Sequence, residues 1–220
     1  MRGFLNTLEV EIVMEKNRAM PWWGWLAWVL AITLGIVAYA HLPAQVVGNA
    51  NRMTPRLLVV LYEPAIILGI ILLWNVLWRV DPKKKNYESF WPSYRYIGGV
   101  IVVCISLVYL TVIGHALKII SMRFVPTVIG IMFMLIANIL PRIQPNWWIG
   151  FRTPWTLSST ESWNRTHRLG GKLGIPTGIL IIILAWILPT NFVMRLAILV
   201  PILLWVLITV VASYFFAKKE

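Results

Sequence analysis

Six long apolar runs interrupt this chain: Trp22 to Leu42, Leu57 to Trp78, Ile97 to Leu117, Phe124 to Leu140, Leu173 to Pro189 and Leu196 to Phe216. A helix rising ~1.5 Å per residue needs roughly 17 to 25 apolar residues to cross ~30 Å of hydrocarbon, and each run meets that length. Hydrocarbon offers backbone amides no partner, so each run has to close its own hydrogen bonds as a helix. The strict polar and apolar alternation of a membrane β-strand is absent. With 59% of 220 residues hydrophobic, 13% charged and a mean hydropathy of +0.76, a soluble core is excluded as the organising principle. The expected fold class is an all-α polytopic membrane protein, a bundle of six transmembrane helices.

Charge sets its orientation. The formal net charge is +12, but the basic residues are scattered at the ends of apolar runs, not gathered on one face, which argues against direct nucleic acid binding. Alternate compartments hold 15 and 5 of the 20 Lys and Arg. The positive-inside rule then puts both termini in the cytoplasm. Ala38, Tyr39 and Ala40 resemble a signal-peptide cleavage site, but the preceding run is too long and too rich in Trp, so it is read as a membrane anchor. Before it, Leu5, Leu8 and Ile12 have the spacing of a short surface helix. Cys104, the single cysteine, allows no internal disulfide and reads as packing.

The connections divide into plain and rich. Pro43, Gly48, Asn49 and Pro55 make a short external loop. From Arg79 to Arg95 a lysine run is mixed with Tyr87, Phe90, Trp91 and Tyr94, a composition suited to the lipid headgroup layer. Glu63 is the acidic residue within a run, and insertion at a cost of ~2.5 to 3.5 kcal/mol makes it a candidate for ligand, proton or partner contact; its alternatives are protonation or pairing with Arg56. His41 and His115 fall near outer ends, where interfacial hydrogen bonding is expected instead of a metal site. Pro126, Pro176 and Pro201 are expected to kink their helices. Gly174 and Gly178 form a small-xxx-small pair for close helix approach.

The richest connection is "NWWIGFRTPWTLSSTESWNRTHRLGG", residues 146 to 171. Ser158 and Glu161 have the form of a capping box, predicting a short interfacial cytoplasmic helix from there to about Leu169, ended or bent by Gly170 and Gly171. On it Trp163 and His167 share one face, Glu161, Arg165 and Arg168 another, with Glu161 and Arg165 oriented for an ion pair. Thr153 and Pro154 predict an extended turn after Arg152. By composition alone, this is an interfacial collar.

The order of residues adds more. Asn146, Gly150, Arg152, Thr153, Pro154, Trp155, Thr156, Leu157, Ser159, Trp163, Thr166, His167, Arg168, Gly170 and Gly171 follow the pattern N-x-W/F-x-G-x-R-T-P-W-T-L-x-S-x-x-x-W-x-x-T-H-R-x-G-G, and the segment resembles the C-terminal signature of the SdpI family. With the two following spans the resemblance accounts for roughly the last 80 residues. Upstream, Leu42, Pro43 and Gly48 resemble the start of that family's external loop, while its histidine and G-x-P are missing. The resemblance implies an integral membrane immunity protein, without cofactor or metal, that gives resistance to a secreted killing peptide. It also implies, for some members, a signal transducer that recruits a cytosolic transcriptional repressor. The partners expected are thus membrane lipid, a secreted peptide toxin and a repressor.

The chain accordingly divides into a cytoplasmic segment (1–19), a two-span domain with its basic and aromatic linker (20–95), helices 3 and 4 (96–145), and the signature with helices 5 and 6 (146–220). Candidate partner- or ligand-binding residues are Glu63, Asn146, Arg152, Thr153, Trp155, Trp163, His167 and Arg168; Gly150, Pro154, Ser158, Glu161, Gly170 and Gly171 are expected to shape the segment. Two rival classes compete. A transporter or exporter would use Glu63 in a proton or substrate pathway, though no inverted repeat is visible. An enzyme would use His167 as base or Ser158 as nucleophile, but no catalytic motif supports it and the chain is read as non-enzymatic.

Overall fold

The computed structural model describes residues 18–47 and 53–218. The surface helix expected around Leu5, Leu8 and Ile12, and the turn residues Gly48 and Asn49, lie outside the described residues. Among the described residues seven α-helices are present: α1 (Trp22–Tyr39), α2 (Arg56–Leu77), α3 (Tyr87–Ala116), α4 (Phe124–Ile139), α5 (Pro154–Ser158), α6 (Thr160–Ile187) and α7 (Thr190–Lys218). All but α5 are long and apolar enough to cross a membrane. Leu30, Leu34, Leu199, Leu203 and Leu207 point outward from α1 and α7, as a surface bathed in hydrocarbon allows and water does not. The protein is a multi-pass membrane protein, with six candidate spans among the described residues. The loop between α1 and α2 carries a two-stranded antiparallel hairpin, β1 (Gln45–Val47) and β2 (Met53–Pro55), with Val46 opposite Thr54.

Helix α6 packs against both α4 and α7, and α1 against α3 and α2, while α3 also meets α4. Glycine makes the α4–α6 approach possible. A Cβ on Gly178 would stand 2.5 Å from the Gly130 carbonyl oxygen, one on Gly130 2.7 Å from that of Gly178, and one on Gly171 2.8 Å from that of Ala137. The small-residue pair at Gly174 and Gly178 thus faces α4, and Gly170 and Gly171 extend the same stripe.

Those last two glycines do not end a helix. The expected helix over Ser158 to Leu169 is corrected: α6 runs unbroken through Gly170 and Gly171 into the span, because both lie buried against neighbours that shield the backbone from water. The short helix in this connection is α5 instead.

The prolines have different effects. Pro126 sits in the first turn of α4, where a missing amide hydrogen removes nothing. Pro64, inside α2, has no hydrogen to give the Val60 carbonyl four residues back. The Tyr109 hydroxyl of α3 donates to that carbonyl at 3.1 Å. The indole N–H of Trp28 on α1 donates to the Pro64 carbonyl at 2.8 Å. Gly35 leaves room for the same tyrosine, since a Cβ there would lie 1.9 Å from its hydroxyl oxygen. One proline in α2 thereby fixes how three helices meet.

Candidate functional site

The basic connections come together at one end of the bundle. After α4 a 3-10 turn (Leu140–Arg142) hands the chain to an irregular stretch that folds across the helix ends. Asn146, fully buried, organises it. Its Oδ1 accepts from the amides of Trp148 and Ile149 at 2.9 and 2.7 Å, and its Nδ2 donates to the carbonyls of Gln144 and Ile149. Both ends of the side chain are satisfied, as burial requires. Gly150 follows at φ +110°, a conformation suited to glycine, and a Cβ there would also lie 2.1 Å from Nε2 of His167.

His167 is read by its hydrogen bonds. Nε2 accepts the amide hydrogen of Phe151 at 3.1 Å, so the ring hydrogen sits on Nδ1, which donates to the Trp163 carbonyl at 2.8 Å. The neutral ring stacks on Trp163 with centroids 4.0 Å apart, and the Trp163 indole donates to the Ile143 carbonyl at 2.7 Å. Trp163 therefore faces the bundle and not the lipid. With both nitrogens engaged and the ring buried, His167 has no lone pair to offer as a general base. Its role is to hold the 146–152 turn onto α6.

The helix starts are set by hydroxyls. Thr153 caps α5 in a capping box with Thr156, and Pro154 takes the first position, where proline is favoured. The cap of α6 is Ser159, whose hydroxyl accepts the Ser162 amide at 3.0 Å. The capping box expected between Ser158 and Glu161 is therefore corrected to a single cap one residue later: the Ser158 hydroxyl donates instead to the Trp155 carbonyl at 3.0 Å, closing the last turn of α5. Glu161 makes the expected pair with Arg165, at 2.6 Å on the exposed side. The Trp155 indole donates to the Ser213 hydroxyl at 2.8 Å and docks α5 on α7. Arg152 is exposed and donates to the Trp147 carbonyl; Arg168 is exposed.

What sequence reasoning missed is Asp81. It is 2% exposed, and Oδ2 accepts from the Tyr87 hydroxyl at 2.8 Å and from the Trp147 amide at 2.9 Å, while Oδ1 accepts the Lys83 amide at 2.7 Å. Around it the linker between α2 and α3 grips the signature segment at two more points. Asn86 donates to the Pro145 carbonyl at 2.7 Å, and the Lys83 ammonium to the Leu157 carbonyl at 3.1 Å. An Asp followed by Pro82 signals a local turn to the Lys83 amide, but nothing local announces a partner 66 residues away.

The aromatic residues of that linker are likewise reassigned. Tyr87, Phe90 and Tyr94 are buried in the main core, with Tyr94 stacked on Trp74 at 4.7 Å, instead of lying in the headgroup layer. Backbone at Phe90 departs from helical values, two residues before Pro92, and the resulting bend tucks these rings inward. Lys84 and Lys85 remain exposed.

Glu63 stands apart from all this, half-buried on α2 toward the opposite end. It does not pair with Arg56, whose guanidinium donates to the Leu42 carbonyl at 3.2 Å and lies 4.5 Å above the Tyr39 ring. At that end His115 bonds the Ile120 carbonyl at 3.1 Å, as expected of an interfacial histidine, and His41 is exposed. No group of three His, Cys, Asp or Glu capable of holding a metal occurs among the described residues.

Residues 142–214 match the SdpI/YfhL protein family. The immunity protein SdpI of Bacillus subtilis (strain 168) is 24% identical over 195 residues, covering 86% of this chain and 92% of the relative. No solved structure matches the chain. The match to the SdpI/YfhL family thus covers α5, α6 and the hydrogen-bonded turn from Asn146 to Phe151.

Proposed function

We propose that this protein is an immunity protein that protects the cell making it against a secreted, membrane-active peptide. The observation that carries this is the likeness to an immunity protein along nearly the whole of that relative's length. With 15 of the 20 basic side chains on one side, the positive-inside rule turns the signature segment and both termini to the cytoplasm. The opposite face then meets the peptide. Between the β-hairpin and the turn joining α3 to α4 it carries a cavity of about 420 Å3, lined by Pro43, Gln45, Val46, His115, Lys118 and Met122. Peptide bound there favours one arrangement of the helices, and α4 and α6 carry the bias to the clasp around Asp81, where a cytosolic repressor docks. A ligand shifts such an equilibrium only by its difference in affinity for the two arrangements.

The test is protection. Expression in a peptide-sensitive host should raise survival over an empty vector in the presence of the killing peptide. Unchanged killing at verified membrane abundance overturns the immunity reading. Replacing Arg152, Trp163 or His167 by Ala should reduce protection at equal abundance, and full protection in all three removes the segment from the mechanism. Retention of a repressor in the membrane fraction only when peptide is present tests the signalling branch separately.

A further inference from the structure

A cavity of about 680 Å3 opens at the basic end of the bundle, between the start of α1, the end of α2 and the first turns of α3. Arg18, Trp22, Trp25, Leu72, Asn75 and Arg95 line it, and Arg95 and Trp22 also line an adjoining hollow of about 320 Å3. Two guanidiniums thus face one opening, and among the described residues no Asp or Glu lines either space. Asn75 is occupied: its Oδ1 accepts the Met20 amide at 3.2 Å and its Nδ2 donates to the Ile71 carbonyl at 2.8 Å. A guanidinium has five N–H donors in a planar fork suited to phosphate oxygens, so bonds it makes within the protein leave others for a ligand.

The walls say what kind of anion. Trp22, the first residue of α1, is 72% exposed, and Leu72, in the last two turns of α2, 54%. A free inorganic anion gains nothing from apolar walls, whereas a phospholipid places phosphate among the arginines and its glycerol and upper acyl chain along Trp22, Trp25 and Leu72. Tryptophan belongs at that depth. Two arginines, with no carboxylate among the described residues of the lining, favour headgroups of net negative charge. We propose that this cavity is a binding site for an anionic phospholipid of the leaflet next to the basic connections, seated by Arg18 and Arg95. The proposal does not depend on the immunity function, because it uses neither the signature segment nor the opposite face.

The full-length protein, purified in mild detergent and mixed with equal amounts of phosphatidylglycerol and phosphatidylcholine, tests it by native mass spectrometry. Phosphatidylglycerol should be retained preferentially, and the preference should fall by about fivefold for each arginine neutralised in Arg18→Gln and Arg95→Gln. Lys84→Gln with Lys85→Gln, on the exposed linker of the same face, should leave the preference intact; if it abolishes the preference, only general surface charge is at work and the site is wrong. Equal retention of the two lipids by the unaltered protein, or an unchanged preference in the double arginine variant, overturns the proposal. Should the double variant not fold, Arg18→Gln alone, at an exposed position, has to lower the preference or the proposal fails. Inorganic phosphate should not displace the lipid; if it does so at equal concentration, the site takes a free anion and not a lipid.

Discussion

Pro64 gives up an amide hydrogen inside a span, and a phenol from another helix supplies one. Tyr109 to Val60 is a neutral hydrogen bond, and the carbonyl it serves is buried away from water. Tyr109→Phe should cost about 1 to 3 kcal/mol, the penalty of an orphaned buried acceptor, read as a lower midpoint of thermal unfolding in detergent. Gly35→Ala should be destabilising for a different reason, collision with the same hydroxyl. Combining the two should cost less than their sum, because removing the hydroxyl opens the space the methyl needs; strict additivity would contradict the contact. At Asp81 both carboxylate oxygens accept, so the variant Asp81→Ala loses the acceptors for the Tyr87 hydroxyl, the Trp147 amide and the Lys83 amide together. The 146–152 turn should loosen, seen as several-fold faster tryptic cleavage after Arg152 at equal fold content. Cleavage at the unaltered rate would mean the carboxylate does not hold the turn. The candidates Asn146 and His167 were legible in the sequence as marked residues, but their attachment to backbone was not, since a side chain's long-range acceptor or donor leaves no trace in spacing.

At the level of elements, the six apolar runs were readable because a length of apolar chain is a local property, but the helices outlast them: α3 begins ten residues and α6 thirteen residues before its run. The interior of the bundle was less readable. An aromatic residue that faces lipid and one that faces another aromatic ring have the same composition, so Tyr87, Phe90 and Tyr94 could not be told from headgroup anchors. A pair of glycines likewise stops a helix in water and seats one against a neighbour in the membrane, which is why Gly170 and Gly171 continue α6. The glycine contacts make a comparison possible. Gly178→Ala sets a methyl 2.5 Å from the Gly130 carbonyl, backbone against backbone, and should destabilise by about 1 to 3 kcal/mol. Gly69→Ala meets nothing within 4 Å on α2 and should be neutral or stabilising by up to about 1 kcal/mol. Equal effects at the two sites, in the same thermal assay, would rule out close packing of α4 on α6.

For the whole molecule the decisive quantity is orientation. Cys104 is buried, so its replacement by Ala gives a background in which single engineered thiols report on their own surroundings. Thr160→Cys, at the exposed start of α6, should react with an impermeant maleimide only after cells are opened, while Ser121→Cys, on the turn after α3, should react in intact cells. The reverse pattern inverts the molecule and moves the proposed peptide cavity to the cytosol. The charge bias of the connections is what predicts this orientation. The meeting of two distant connections at one end was available only from the fold.

That meeting has a consequence for the inheritance of the signature. The matched stretch begins at residue 142, yet the carboxylate that anchors its first turn is contributed by residue 81. A chain carrying residues 142–214 alone would present the Trp147 amide to solvent or require a substitute acceptor, so the stretch is conditional on a host. Change in the linker between α2 and α3 and change in the signature are therefore coupled, and loss of the acid at one must be answered at the other.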